Sequence, residues 1–245
     1  MRFERTELLY GSETLKRLSK AHVLVAGLGA VGSYAVEGLA RSGVGRLRLV
    51  DFDVVRESNI NRQLYAMDST VGKRKAELAA ARVRDINPAC DVVGIPEFID
   101  DESIARLLGD RPDVVVDAID SVGPKLGLIK AVHSSGVPVL SSMGAAMRTD
   151  PSMIKIGDIS ETEFCPLARQ IRKRLKRNGI NGGVRCVYST EPIPDNAMIK
   201  DGEEWTEEDV MPRGRPRRTM GSSSCITGIF GLTVANEAVR MLMRT

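Results

Sequence analysis

Cysteines are few in this sequence of 245 residues, and long apolar runs are absent. The four cysteines include no C-x-x-C pair, which excludes a disulfide scaffold and a conventional four-thiolate zinc site. No uninterrupted apolar stretch approaches the roughly 18 residues of a membrane span. The first residues are charged and lack the apolar core of a signal peptide. We therefore expect a cytoplasmic protein without a membrane partner.

A large excess of charge of either sign is also missing. Lys and Arg number 35 and Asp and Glu number 32, so the net charge of +3 does not by itself indicate a nucleic-acid partner. At about 150 residues per domain, the length fits one large domain or one domain with an appendage. We predict a single domain over 1–245, divided into a nucleotide-binding part, 1–150, and a C-terminal extension, 151–245.

Short apolar runs alternate with helical patterns through the first 140 residues, which is typical of parallel α/β folds. The predicted strands are 22–26, 46–50, 92–95, 114–116 and 137–140. The predicted helices are 5–20, the stretch from the glycines after residue 27 to residue 42, 72–86, 103–108 and 124–134. Later elements are short strands at 153–156 and 184–188, helices at 165–177 and 225–243, and a loop at 192–220. The prediction is a Rossmann-like, doubly wound α/β fold: a mainly parallel sheet with helices on both faces and a mixed C-terminal extension.

A glycine-rich turn joins the first predicted strand to the helix after it. Gly27 permits the tight turn, Gly29 lets the backbone approach a phosphate, and Gly32 lets helix and strand pack closely. Asp51 ends the second strand about twenty residues later, where a carboxylate can accept hydrogen bonds from ribose hydroxyls. The motif predicts nucleotide binding without choosing the nucleotide, and a turn needed only for packing is the alternative.

Three further motifs resemble the nucleotide site of the ubiquitin-activating-enzyme-like superfamily, of the ThiF, MoeB and HesA type. They are DFDVVRESNINRQ at 51–63, GKRKAE at 72–77 and DAIDS at 117–121, in the order that the superfamily has them. Members of this superfamily bind ATP, not NAD, and join AMP to a carboxylate.

By position, the resemblance implies a role for each candidate residue. Asp51 would hold the ribose, and Asn59 and Arg62 would hold phosphates. Lys75 would lie on the phosphates near the point of transfer, with its side chain facing the surface. Asp120 would act through Mg²⁺.

The chemistry of adenylation suits these residue types. A carboxylate that attacks a phosphate brings two anions together, so the site must hold fixed cations. The cations available are Arg62, Lys73, Arg74 and Lys75. Solvated charge on a helix surface is their alternative role. Asp53 would either assist the ribose or order the loop.

The superfamily also contributes an arginine from the partner subunit. Arg5 lies where that residue is expected. If Arg5 acts across an interface, the enzyme is a homodimer in which each site needs both chains. An exposed arginine near the start of the chain is the alternative.

The second half of the chain distinguishes branches of the superfamily. Members that activate a ubiquitin-like sulfur-carrier protein commonly hold zinc between two C-x-x-C pairs, which this sequence lacks. The sequence is instead similar to the tRNA threonylcarbamoyladenosine dehydratases over nearly its whole length. The segments that carry this similarity are LYG at 9–11, PK at 124–125, RKRLK at 172–176, CVYSTE at 186–191 and FG at 230–231.

The resemblance implies both a substrate and a reaction. That family uses ATP to activate the threonyl carboxylate of a modified adenosine beside the anticodon, and ring closure by an intramolecular nitrogen or oxygen releases AMP. The implied partners are ATP, Mg²⁺ and tRNA carrying threonylcarbamoyladenosine, with a sulfur-transfer protein as a further partner to test. The alternatives are an adenylating enzyme for a ubiquitin-like sulfur-carrier protein and an NAD-dependent oxidoreductase. The oxidoreductase has no need of Arg62, Lys75 and Asp120 in this register.

The predicted helix 165–177 is strongly basic. Six bases lie within nine residues that include no acid: Arg169, Arg172, Lys173, Arg174, Lys176 and Arg177. They and the arginines of 213–218 can hold tRNA phosphates. In the alternative interpretation, the bases only match the helix dipole, with Glu161 and Glu163 before the helix. Cys165 at the helix start is the best placed thiol for reactivity, but ring closure needs no thiol, so a structural role is favoured.

Overall fold

The computed structural model describes residues 2–193, 199–200 and 219–244. The chain begins with two short helices, α1 (Glu4–Tyr10) and α2 (Ser12–Leu18), where the sequence predicts one helical stretch. Gly11 separates them, because its φ of 86° is a conformation that glycine adopts without strain. Most of the loop predicted over 192–220, including the arginines of 213–218, lies outside the described residues.

Seven strands form the main sheet. In chain order they are β1 (His22–Ala26), β2 (Arg46–Val50), β3 (Asp91–Ile95), β4 (Val114–Asp117), β5 (Val139–Ser142), β6 (Ile154–Asp158) and β7 (Arg185–Ser189). Their spatial order is β3-β2-β1-β4-β5-β7-β6, and the pairing of β6 with β7 is antiparallel while the others are parallel. A separate two-residue ladder joins β8 (Ile199–Lys200) to β9 (Thr219–Met220). The predicted mainly parallel sheet is confirmed, with strand boundaries shifted by one or two residues.

Helices cover both faces of the sheet. They are α3 (Gly32–Arg41), α4 (Lys75–Ile86), α5 (Asp101–Gly109), α6 (Val122–Ser135), α7 (Pro166–Arg177) and α8 (Ser224–Arg244). One apolar cluster joins α2, α3, α4 and α8 to the sheet, and the other joins α5, α6 and α7. Central strands such as β1 are buried along their whole length, which explains their nearly continuous apolar runs.

The second half of the chain is built into the same body as the first. β7 pairs with β5, so residues after 150 extend the sheet. α8 packs closely on α3: a Cβ on Gly231 would lie 2.4 Å from the Val31 carbonyl oxygen, and one on Gly38 would lie 2.6 Å from the Ala235 Cβ. Since α3 follows the glycine-rich turn, the packing of α8 on α3 supports that turn. A separate substrate-binding role for 151–245 stays a prediction.

Among the described residues, α8 is long and apolar enough by length and composition to cross a membrane. In this structure it lies in the core, and 61% of its most apolar window is buried. Its Glu237 is buried and pairs with Arg185 of β7 at 2.9 Å. This ion pair links the helix that the sequence predicts at 225–243 to the sheet.

Candidate active site

The predicted nucleotide-binding residues meet at one edge of the sheet. β1, β2 and β4 are neighbours, and their carboxyl ends carry the glycine-rich turn, Asp51 and the 117–121 loop. The chain order of the strands reverses here, because β2 lies on one side of β1 and β4 lies on the other. Open α/β sheets bind ligands in the crevice at such a switch point. Motifs that are distant in sequence therefore line one crevice.

Two of the three glycines are required by the protein itself. Gly27 has a φ of 89°, and a Cβ there would lie 2.8 Å from the Ala118 carbonyl oxygen. A Cβ on Gly32 would lie 1.8 Å from the Gly27 carbonyl oxygen. By contrast, a Cβ on Gly29 would meet only the side chain of Gln63, at 3.7 Å. The space above Gly29 therefore suits a phosphate that approaches the backbone closely.

Asp51 is held by backbone amides on both carboxylate oxygens. Its Oδ2 accepts a hydrogen bond from the N–H of Leu28 at 2.7 Å, and its Oδ1 accepts one from the N–H of Asp53 at 2.9 Å. Burial raises the pKa of Asp51, and the charge of Lys75 opposes that increase only in part. Each carboxylate oxygen has more than one acceptor position, so these bonds leave capacity for ribose hydroxyls.

Lys75 opens α4 and lies inside the crevice wall. The residue is 4% exposed, and its Nζ lies 3.1 Å from Oδ2 of Asp53. An antiparallel bridge between Val54 and Arg74 folds the loop after β2 back onto the start of α4. The expectation that Lys75 faces the surface is therefore wrong. The ion pair links Asp53 to the start of α4, and a role of Asp53 at the ribose stays a prediction. A buried cation acts more strongly on a nearby anion than an exposed one.

Asn59 and Arg62 lie on the loop between β2 and α4. Asn59 is buried, and Arg62 is half-buried. The Arg62 guanidinium donates hydrogen bonds to the Ser58 carbonyl at 2.8 Å and to Oδ1 of Asn61 at 2.7 Å. Asn61 in turn donates to the Ser222 carbonyl at 3.1 Å, which ties this loop to the start of α8. The loop is ordered by these bonds, and contact of Asn59 and Arg62 with phosphates stays a prediction.

Asp120 is exposed in the loop that follows β4. The hydroxyl of Ser121 lies 3.4 Å from its Oδ1. In the described part of the chain, no three His, Cys, Asp or Glu side chains group into a metal site of protein ligands alone. Mg²⁺ is commonly held by one or two carboxylates together with substrate phosphates. A single exposed carboxylate thus fits a metal ion that also binds a triphosphate.

An ion pair that the sequence did not predict lies beneath this loop. Asp117 and Lys125 are both fully buried, and the lysine Nζ lies 2.7 Å from the aspartate Oδ2. Lys125 also donates to the Ile119 carbonyl at 3.0 Å, and the Ser141 hydroxyl donates to Asp117 at 2.6 Å. These bonds fix the backbone immediately before Asp120. The sequence pattern of β4 does not indicate that Lys125 of α6 pairs with Asp117.

Replacing Lys125 by Met is expected to lower the free energy of unfolding by about 3–5 kcal/mol, because Asp117 would stay buried without its cation. Urea unfolding followed by circular dichroism measures this change. Lys130→Met is the matched control, since Lys130 lies on the same helix and is partly exposed. Equal unfolding midpoints for the two variants would show that the buried pair contributes no net stability.

A buried arginine joins three segments next to β5. Arg148 is 3% exposed and donates hydrogen bonds to the carbonyl oxygens of Phe164 and Glu191. It therefore links the loops after β5 and β7 to the start of α7. Beside it, the buried Cys165 accepts a hydrogen bond at Sγ from the N–H of Ala168, at 3.4 Å. That bond caps α7 and agrees with the structural role favoured for this thiol.

Arg5 does not reach the crevice of its own chain. It is exposed on α1. Nearby, the ring of Phe3 lies 3.6 Å from the position of a Cβ on Gly43, and the Arg2 guanidinium donates to the Ile86 carbonyl at 2.6 Å. Gly43 precedes β2 and Ile86 ends α4, so α1 lies at the edge of the sheet opposite the crevice. The role of Arg5 in a partner's site stays a prediction.

A model of the ThiF family matches residues 3–245. The chain belongs to the ThiF family. Two relatives of this ThiF-family chain are the tRNA threonylcarbamoyladenosine dehydratases of Bacillus subtilis and Escherichia coli, at 39% and 36% identity. The alignments cover 99% of the chain in both cases and 94% and 93% of the relatives. The crystal structure of the E. coli dehydratase TcdA in complex with ATP is similar with a TM-score of 0.86 at 34% identity, covering 99% of this chain and 94% of that one.

Proposed function

We propose that this chain is an ATP-dependent tRNA threonylcarbamoyladenosine dehydratase that works in the cytoplasm. The observation that carries the proposal is the crevice at the switch point, where the open space above Gly29 and the buried cation of Lys75 suit a nucleotide phosphate. Similarity to dehydratases along almost the entire chain supports the choice of substrate.

The proposed reaction has two steps. A carboxylate oxygen of the threonyl group attacks the α-phosphorus of ATP, and pyrophosphate leaves. An intramolecular nitrogen or oxygen of the threonylcarbamoyl group then attacks the activated carbonyl carbon, and AMP leaves with one of the carboxylate oxygens. The nucleoside has lost the elements of water. Lys75 and Arg62 would stabilise negative charge where the two anions meet.

We assign the remaining site residues on the same basis. Asp51 would bind the ribose, with Asp53 keeping Lys75 in place, and Asn59 would bind phosphate. Asp120 would hold Mg²⁺, which supplies charge neutralisation on the phosphates. These assignments fit the donor types at the crevice and remain to be tested by substitution.

The proposed assembly is a homodimer in which Arg5 enters the partner's crevice. The same helix presents Leu8 and Leu9 to solvent, at 82% and 71% exposure. Neighbouring apolar side chains with this exposure are typical of a surface that another protein covers.

Adenylation of a ubiquitin-like sulfur-carrier protein is the second candidate, because it would use the same crevice. The positions of the cysteines count against a zinc-bearing enzyme of this kind. Cys90, Cys165 and Cys186 are buried, Cys225 is exposed, and the described residues contain no metal-binding group that includes them. A sulfur-transfer protein as a partner of the dehydratase rests on the family resemblance alone.

Incubation with ATP, Mg²⁺ and tRNA carrying threonylcarbamoyladenosine tests the proposed function. We expect AMP to form and the nucleoside to lose the mass of one water molecule, and we expect EDTA to stop both changes. The matched control is the same tRNA without the modification. AMP formation with a small carrier protein, and none with modified tRNA, would favour the second candidate.

A further inference from the structure

A basic groove runs along α7, on the face of the sheet opposite α8. Its volume is about 480 Å³, and its walls are α7 and the segment around Ser160. The helical wall carries three exposed cations: Arg169, Lys173 and Lys176. They stand at i, i+4 and i+7, which places them on one helix face. We call this feature the α7 groove.

The six bases of α7 differ in exposure and in their position relative to the groove. Arg172 is half-buried, and its guanidinium donates a hydrogen bond to the Thr162 carbonyl at 2.6 Å. It holds the segment before α7, and its contact with tRNA phosphate stays a prediction. Arg174 and Arg177 are exposed but do not line the groove. Arg172 also lines the groove, so its helical wall carries the exposed Arg169, Lys173 and Lys176 together with the half-buried Arg172.

The charge of α7 differs from that of three other helices. In α2, α3 and α8 a cation has an acid one turn away: Lys16 with Glu13, Arg41 with Glu37, and Arg240 with Glu237. α7 contains no acid, and within the described residues its groove cations form no ion pair. Like charges at i and i+4 destabilise a helix. A polyanion bound in the groove would relieve that repulsion.

Phe164 lies directly before α7 and has unusual geometry. It is 58% exposed, and its φ of 49° is uncommon for a bulky side chain. The buried Arg148 donates a hydrogen bond to its carbonyl oxygen and thereby holds this conformation. An exposed ring on a fixed backbone is a surface on which an unpaired base can stack.

The ring and the groove form one path that starts near the crevice. Cys165, between them, lies 3.5 Å from the position of a Cβ on Gly144, in the loop after β5, at the carboxyl edge of the sheet. From there α7 runs toward the opposite edge, and Arg169 and Lys176 are about 10 Å apart along its axis at 1.5 Å per residue.

We propose that Phe164 and the α7 groove bind the single-stranded RNA beside the modified nucleotide. Phe164 stacks on an unpaired base, and Arg169, Lys173 and Lys176 bind the neighbouring backbone phosphates. This inference rests on the proposed function, because it takes the reacting nucleotide to lie in the crevice. Single-stranded RNA is the polyanion that combines spaced phosphates with bases free to stack.

Two charge-matched double variants on the same helix test the groove. Filter binding of modified tRNA across a salt series is expected to give a log–log slope shallower by about 1.4 for Lys173→Gln/Lys176→Gln, because each lost single-strand contact removes about 0.7. Arg174→Gln/Arg177→Gln is expected to keep the wild-type slope. Equal changes of the salt slope in the two double variants would indicate that the bases of α7 act as a diffuse positive charge. That result would overturn the proposal.

The stacking contact has its own test. Phe164→Ala is expected to weaken tRNA binding about tenfold with an unchanged salt slope, since stacking involves no counterion release. Phe164→Trp should keep the affinity, which a role in folding alone would not predict. Unchanged affinity of Phe164→Ala would remove the ring from the proposal.

Wild-type turnover in the same preparations separates this inference from the proposed function. If wild-type enzyme dehydrates the tRNA while both double variants bind it equally, the groove assignment fails and the function stands. If wild-type enzyme does not dehydrate the modified tRNA, the proposed function fails. If Lys173→Gln/Lys176→Gln loses binding to phosphatidylserine vesicles while its tRNA binding stays intact, the groove binds a membrane surface. That result would also overturn the proposal.

Discussion

Lys75→Ala is expected to lower AMP formation by about 10²–10³-fold, the usual effect of removing one group that stabilises charge in a transition state. The expectation rests on the position of Lys75: a buried ammonium group beside the loop that follows β2, where two anions would have to meet. Release of AMP and pyrophosphate from ATP and modified tRNA measures the effect. Lys73→Ala is the matched control, because Lys73 is two residues away and exposed.

The ion pair with Asp53 requires one further variant. Lys75→Ala leaves Asp53 without its cation, and that alone could disturb the loop. The double variant Lys75→Met/Asp53→Asn removes both charges. If Lys75 acts on the substrate, the double variant stays inactive although urea unfolding shows a stable fold. Recovery of AMP formation in the double variant would mean that Lys75 serves only to neutralise Asp53.

The order of helices and strands was predictable because the central strands are buried on both faces. Such strands leave continuous apolar runs, as His22–Ala26 does, and the turn after it must contain glycine. The sequence predicts one helix in place of α1 and α2 because the apolar spacing continues across Gly11. Only the positive φ of Gly11 separates the two helices. The antiparallel direction of β6 has no local signal in the sequence.

The sequence indicates which residues belong to the site better than it indicates the polar contacts of those residues. The motifs named Asp51, Lys75 and Asp120 as site residues, and in the structure these residues lie at one edge of the sheet. The burial of Lys75 depends on the bridge between Val54 and Arg74, which closes a loop of about twenty residues. Such long-range closure leaves no periodic trace in the sequence, and the same is true of the pair formed by Asp117 and Lys125.

Arg5 presents the opposite situation, since its motif position implies a site residue and its own chain keeps it away from the site. The contacts of Phe3 and Arg2 hold α1 at the far edge of the sheet. A catalytic role for Arg5 therefore requires a second copy of the chain. In a two-fold symmetric dimer, each arginine would cross the interface and complete the other subunit's crevice.

If Arg5 acts in the partner subunit's crevice, mixing two inactive variants is expected to restore activity. Arg5→Ala and Lys75→Ala chains should each be inactive alone. After subunit exchange, a mixed dimer has one crevice with an intact Lys75 that receives Arg5 from the partner, and one crevice that lacks both. Random exchange of equal amounts makes half of the dimers mixed, so about a quarter of the wild-type sites should return.

The measurement is AMP formation as a function of the mixing ratio, with subunit exchange followed separately by native mass spectrometry. The control mixes Lys75→Ala with Asp120→Ala, because both residues belong to the same chain's crevice. Each crevice of that mixed dimer lacks one of its own residues, so no activity should return. Absence of rescue in the Arg5 mixture, with exchange demonstrated, would contradict the assignment in trans. Rescue in the Arg5 mixture alone would show that each site is built from two chains.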